Sequence, residues 1–180
     1  MPREPHRRGG AGRKRGISSP KVCAVCGAND LGGSFCGLAG RGGPTDAGLA
    51  GALAGLGPCA GVSTDGRAAY ARVLPEIGAA SHDAGPASEA AGRLGMAGAL
   101  HRRLKRFLGR FAGVSTRRLA HYLAWFEWAE QVRRSGSRPA GVMSGQAAAG
   151  RYESTRAALF AAPQPFWEYW ERQASMSTLV

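Results

Sequence analysis

The sequence predicts an α/β fold that ends in two amphipathic helices. Two short apolar runs on either side of a glycine-bearing loop near residue 30 indicate a β-hairpin. An apolar run that ends at Asp65 and is followed by a helical pattern indicates a strand and its crossover helix. Two apolar stripes at helical spacing then occupy residues 99–134. Strands and helices in this order are typical of α/β proteins.

The first 20 residues are rich in Gly, Pro and Arg and have no hydrophobic period, which predicts a flexible basic arm over residues 1–20. Residues 21–134 are the expected folded domain. Residues 135–180 lose the pattern and are expected to form a poorly structured tail, with a weak helix near Tyr152–Ala161 and a cluster of aromatic residues.

Within the domain, Val22–Cys26 and Ser34–Leu38 are the predicted hairpin strands, joined by a loop over Asn29–Gly33. Thr45 or Asp46 is expected to cap a short helix that continues to Leu56.

The chain then gives a predicted strand at Cys59–Thr64, a helix at Arg67–Ile77 and a short strand at Ala79–His82. Asp65 would stand at the end of the first of these strands, where α/β folds place groups that bind ligands or metals. The alternative for Asp65-Gly66 is an ordinary turn, since this pair favours one.

The strongest pattern is the predicted helix Ala99–Phe111. Its apolar stripe repeats at helical period and consists of Leu100, Leu104, Phe107, Leu108 and Phe111. The rest of its surface is polar, with His101, Arg102, Arg103, Lys105, Arg106 and Arg110. Ser115 or Thr116 is the expected cap of a second helix that runs to about Arg134, with Leu119, Leu123 and Phe126 inward.

Charge points to a polyanionic partner. The 180 residues carry a formal net charge of +12, and residues 93–118 contain eight Arg or Lys and no acidic residue. The predicted basic helix therefore suits DNA phosphate contact, the alternative being a simply solvated amphipathic helix. The longest apolar run falls short of a membrane span, and no secretory signal is apparent, so we expect a cytoplasmic, nucleoid-associated protein.

The cysteines and aromatic residues allow two interpretations each. Cys23, Cys26, Cys36 and Cys59 are expected to be reduced, packed thiols, with a four-thiolate zinc site as the alternative. Tyr122, Trp125, Phe126 and Trp128 are expected to pack between helices, with base stacking as the alternative.

The stretch Leu100–Gln131 resembles the C-terminal end of bacterial DDE-type insertion-sequence transposases of the group with an N-terminal zinc ribbon. The resemblance rests on the motif LH-x-x-LK-x-F-x-x-x-F-x-GVST-x-x-L-x-x-YL-x-W-F. Two shorter matches, RKRGIS with the following strand (Arg13–Val25) and TDGRAAY (Thr64–Tyr70), precede it in the same order.

This resemblance implies an incomplete ribonuclease H-like domain and the chemistry of DNA transposition, in which Mg²⁺ or Mn²⁺ ions held by carboxylates promote hydrolysis and strand transfer at a phosphodiester. It places a metal-binding Asp at Asp65, a trailing catalytic Lys at Lys105 and a family His at His101. The third metal-binding position, an Asn or Glu in the family, falls on Gly98. The first family Asp would lie upstream of residue 1.

We therefore expect a truncated, degenerate copy of the transposase that does not catalyse the reaction alone. The expected DNA contacts are made by residues of the two final helices: Arg102, Arg103, Lys105, Arg106, Arg110, Arg117 and Arg118. The alternatives are a small non-catalytic DNA-binding protein, a regulator that assembles with an intact transposase subunit, a zinc module, and a chain that folds poorly because a strand edge is exposed.

Overall fold

The computed structural model describes residues 21–56, 61–85, 94–111, 113–150 and 157. Its elements confirm a mixed α/β protein. The strands are β1 (Val22–Ala28), β2 (Ser34–Arg41), β3 (Val62–Thr64) and β4 (His82–Ala84). The helices are α1 (Asp46–Leu53), α2 (Ala68–Glu76), α3 (Gly95–Gly109), α4 (Leu119–Ser135) and α5 (Pro139–Ala149), and a 3₁₀ turn at Thr116–Arg118 leads into α4.

The first two strands form the predicted antiparallel hairpin. Cys26 faces Cys36 across the ladder, and a β-bulge interrupts the register between Cys23 and Ala24. In the connecting loop the Asn29 side chain accepts a hydrogen bond from the Gly33 backbone N–H. Gly32 adopts a φ of +85°, a left-handed conformation that glycine enters without steric cost.

Helix α1 begins where the sequence predicts. Thr45 is its N-cap, and the Thr45 hydroxyl accepts a hydrogen bond of 3.1 Å from the Gly48 backbone N–H. The helix packs on β2 with an unusually close approach, since a Cβ built at Gly37 would lie 2.7 Å from the Ala52 Cβ. Small residues on both elements make this approach possible.

The second pair of strands is parallel and is joined through α2, as the sequence predicts for a strand, helix and strand unit. Val62, Ser63 and Thr64 pair with residues 82–84. The last strand begins three residues later than predicted, because the segment after α2 first turns: the Gly78 and Ala79 N–H groups donate to the Pro75 and Leu74 carbonyls, respectively. Among the described residues, this pair forms a sheet separate from the hairpin.

Two hydrophobic clusters cover opposite faces of the hairpin. On one face, Val25 and Ala39 pack with residues of α1 and α2, among them Leu49, Val73 and Leu74. On the other face, Ala24, Cys26, Cys36 and Leu38 pack against Leu100 and Leu104 of α3 and Leu123 and Phe126 of α4. The hairpin is thus the middle layer between two pairs of helices, with α3 on β1 and α4 on β2.

The expectation of a poorly structured tail is wrong for its first part, because residues 139–149 form α5. Pro139 stands in the first turn, where its fixed φ suits a helix start, and the three alanines at residues 147–149 favour the helix, whereas Gly141 and Gly145 oppose it. None of its residues is buried, so the helix lacks the apolar stripe that would have predicted it. The arm at residues 1–20 and the predicted helix Tyr152–Ala161 lie outside the described residues, Ala157 excepted.

Within the described ranges, no helix combines the length and the apolar character required to cross a bilayer.

Candidate functional site

Helix α3 is held in place by its apolar stripe. Leu100 is fully buried and Leu104 is 2 % exposed, and both pack against the hairpin and α4. The helix begins at Gly95, four residues before the predicted start, where the Gly98 N–H donates to the Leu94 carbonyl. Because the stripe fixes the rotation of the helix, it also decides which of its cations face solvent.

Four of these cations point outward: Arg102, Lys105, Arg106 and Arg110 are all exposed. Arg102 and Arg106 are one helical turn apart and Lys105 lies between them, so the three share one side of the helix. Among the described residues, no acidic side chain forms a salt bridge with any of the four. We call these four residues the basic face of α3.

The position of this face in the helix is also favourable. Arg106 lies in the last turn and Arg110 is the C-cap residue. The negative end of the helix dipole stabilises cations here. Positive charge is thus concentrated toward the end of α3 without a carboxylate from the described residues to neutralise it.

Arg103 differs from the other cations of α3. Its guanidinium donates two hydrogen bonds to the Glu130 carboxylate of α4, of 2.9 and 2.8 Å. Arg133 donates a third, of 3.0 Å, to the same carboxylate. Glu130 is only 4 % exposed, so Arg103 links the two helices through a buried charge.

The two remaining predicted DNA contacts lie between the helices. Arg118 is half-buried at the end of the 3₁₀ turn and already interacts with other groups of the protein. The Arg117 side chain lies outside the described part of the structure. Neither belongs to the basic face of α3.

His101 and Lys105 occupy successive turns on the exposed side of α3. Partial burial lowers the pKa of His101, and the positive charge of Lys105 lowers it further. A histidine with a lowered pKa is neutral at pH 7, so His101 adds a hydrogen-bonding group rather than a charge to this side of the helix.

Asp65 directly follows β3, as predicted. Its carboxylate forms a 3.0 Å salt bridge with Arg67, and both side chains are about 40 % exposed. Gly66 adopts a φ of +77°, and its N–H donates to the Thr64 hydroxyl, so Asp65-Gly66 also forms a turn. The strand-end position and the turn, which the sequence leaves as alternatives, occur together.

Tyr70 and Cys23 are neighbours of Asp65 that the sequence does not place beside it. Burial raises the pKa of Tyr70 to about 12, and the charges of Asp65 and Cys23 contribute. Burial also raises the pKa of Cys23, with Arg67 and Asp65 acting in opposite directions. Asp65 therefore lies close to the start of β1, a proximity between distant chain segments that no local pattern indicates.

Metal ligands are sparse around these positions. Gly98 lies in the first turns of α3 and offers no side-chain oxygen, although a Cβ there would meet only the Arg102 side chain at 3.9 Å. Within the described residues, no group of three or more His, Cys, Asp or Glu side chains is arranged to hold a metal ion. The described residues around Asp65 and Gly98 thus offer no such set of ligands for the Mg²⁺ or Mn²⁺ pair that the transposase resemblance implies.

The cysteines are distributed over both faces of the hairpin. Cys23 packs with the cluster beneath α1 and α2, whereas Cys26 and Cys36 pack with the cluster beneath α3 and α4. The sheet therefore separates Cys23 from the other two thiols. Cys59, the fourth member of the alternative zinc site, lies outside the described residues.

The aromatic residues of α4 mainly serve packing. Trp125 meets Phe107 edge-on at 5.3 Å between ring centroids, and Tyr122 meets Phe111 at 4.7 Å. These contacts join the C-terminal half of α3, and the segment directly after it, to α4, and they support the packing interpretation. Trp125 nevertheless keeps half of its surface exposed.

Comparison of the chain with protein-family models, with curated protein sequences and with solved structures gave no match.

Proposed function

We propose that this chain is a DNA-binding protein derived from an insertion-sequence transposase, and that it contacts DNA phosphates through the basic face of α3. The observation that carries the proposal is the exposure of four neighbouring cations that no carboxylate of the described residues neutralises. Arg and Lys side chains in this state bind phosphate and release counterions from DNA. The transposase-like motif around α3 is the second support.

The order of elements supports a ribonuclease H-like origin of the domain. A hairpin is followed by a helix, by two parallel strands joined through α2, and by the long helix α3. Asp65 stands at the end of β3, in the position that the resemblance assigns to a metal-binding residue. The proposal extends to this origin and not to the family's catalytic activity.

The chain is proposed to act without cleaving DNA. Asp65 is paired with Arg67, and Gly98 supplies no ligand where the resemblance places an Asn or Glu. A two-metal mechanism needs several oxygen ligands around both ions. Binding through α3 requires none of these groups.

The proposal is tested by removing two charges from the basic face and, as a charge-matched control, two from the sequence after α4. Arg102→Gln with Arg106→Gln is compared with Arg138→Gln with Arg151→Gln, because Arg133 is already paired with Glu130 and would not be a matched control. Binding to a fluorescent DNA duplex is measured by anisotropy over a range of salt concentrations. Each lost phosphate contact reduces the slope of log K against log salt by ~0.9, so the first variant should lose roughly 2 from that slope.

Residual binding is expected in both variants, because residues 1–21 carry seven further Arg or Lys residues. The change in slope, rather than the loss of binding, is therefore the measurement that decides. Equal changes in the two double variants would mean that only net charge matters, and an unchanged slope in the α3 variant would refute the assigned surface.

A further inference from the structure

Two thiols face each other across the central hairpin. Cys26 and Cys36 are direct partners in the antiparallel register. Both side chains contact the same cluster beneath α3 and α4, so they project from the same face of the sheet. Both residues are only partly buried, so neither is fully enclosed by the protein.

The backbone hydrogen bonds show which kind of pair this is. The Cys36 N–H donates to the Glu127 carboxylate of α4 and so points away from β1. Cys26 and Cys36 therefore form a non-hydrogen-bonded pair, the kind in which facing Cα atoms approach to about 4.5 Å. A disulfide needs Cα atoms about 4.4–6.8 Å apart, so the pair falls within the range without a backbone shift.

We propose that Cys26 and Cys36 are a reversible modification site, which forms a cross-strand disulfide by exchange with a low-molecular-weight disulfide. Cys23 is the alternative disulfide partner that the sequence offers for Cys26, since the two are only three residues apart. It lies beneath α1 and α2, on the other face of the sheet, and is excluded by that position.

The exchange takes two balanced steps. The Cys26 thiolate attacks one sulfur of the small disulfide; that S–S bond breaks, one small thiol leaves, and a mixed disulfide forms on Cys26. The Cys36 sulfur then attacks the Cys26 sulfur and displaces the second small thiol. Two protein thiols are oxidised, one small disulfide is reduced, and the two thiol protons end on the two small thiols.

The electrostatic surroundings indicate the order of attack. A hydrogen bond from Cys36 lowers the pKa of Cys26, against the opposing effects of burial and of Glu127. The same hydrogen bond, with burial, raises the pKa of Cys36. Cys26 is thus the thiolate that reacts first, and Cys36 is the resolving thiol.

The test uses the full chain, incubated with oxidised and reduced glutathione at fixed ratios and then alkylated. Intact mass reports the loss of two hydrogens. Cleavage after Lys21 and Arg41 releases all three hairpin cysteines in one peptide, and a second cleavage before Asp30 separates Cys36 from the other two. The expected product is fragment 22–29 joined to fragment 30–41 by one disulfide, with Cys23 alkylated.

Variants and an unfolded sample provide the controls. Cys23→Ser should retain the linked fragments, whereas Cys26→Ser and Cys36→Ser should each lose them. The same incubation in concentrated urea should give mixed pairings, because the register no longer selects one partner. Failure of the folded wild-type chain to lose two hydrogens, or a linkage of Cys23 or Cys59 in place of the expected one, would overturn the proposal.

Discussion

The buried carboxylate between α3 and α4 offers a direct test of how the two helices are held together. Glu130→Gln keeps the shape of the side chain but removes the charge that accepts three hydrogen bonds from Arg103 and Arg133. The variant should fold and be less stable than the wild type, because hydrogen bonds to a charged group contribute more than neutral ones.

The size of the loss follows from the exposure of the partners. Breaking a fully buried ion pair costs ~3–5 kcal/mol, since one charge is left without a partner. Here the Glu130 side chain is 5 % exposed but those of Arg103 and Arg133 are 35 % and 55 % exposed. Both guanidinium groups can turn toward water, so we expect Glu130→Gln to cost ~1–3 kcal/mol. Arg133→Ala removes only a mostly exposed pair and should cost under about 1 kcal/mol.

Urea unfolding, followed by tryptophan fluorescence and circular dichroism, measures these differences. Burial alone would raise the pKa of Glu130, but the hydrogen bonds and charges of Arg103 and Arg133 outweigh it and lower the pKa. The stabilisation is therefore complete above pH 4.5, the ordinary glutamate value, and is lost as the pH falls through the lowered folded-state pKa. A stability of Glu130→Gln equal to that of the wild type at pH 7, or a difference that does not shrink in acid, would refute the reasoning.

Two further predictions concern packing and catalysis. In α1, a Cβ at Gly48 would fall on the Ala39 carbonyl oxygen, whereas a Cβ at Gly51 would meet nothing within 4 Å. In urea unfolding, Gly48→Ala should therefore destabilise the protein by ~1–3 kcal/mol and Gly51→Ala should stabilise it by ~0.5–1 kcal/mol. Effects of the same sign would contradict the close approach of α1 to β2. With Mg²⁺ or Mn²⁺, the wild type should nick supercoiled plasmid no faster than Asp65→Ala, because Asp65 is paired with Arg67 and Gly98 carries no ligand. Nicking by the wild type that disappears in Asp65→Ala would show that the chain catalyses metal-dependent cleavage.

Local patterns predicted the elements well where an apolar period coincided with burial. The hairpin was predicted from two apolar runs and a loop with glycines, and the Thr45 cap from its residue type. The stripe of α3 was correct because Leu100 and Leu104 meet the core directly. None of the residues of α5 is buried, so its sequence has no hydrophobic period, and the helix was not predicted.

The candidate site was less predictable, because its properties depend on contacts between distant segments. The cations of α3 are equivalent in the sequence, yet Arg103 is joined to Glu130, 27 residues away. Likewise, the sequence shows Cys23 and Cys26 as the closer pair of thiols. Only the register of the ladder makes Cys36 the partner of Cys26.

One residue of α4 thus divides the cations of α3 into two roles. Glu130 lies on the buried side of α4 together with Leu123 and Phe126, and a buried carboxylate needs a cation. Arg103 is the cation of α3 that satisfies it, on the side of the helix that faces α4. Arg102, Lys105 and Arg106 are exposed and form no salt bridge with an acidic side chain of the described residues. The proposed DNA-binding surface is therefore defined as much by the carboxylate that pairs with Arg103 as by the residues that remain exposed.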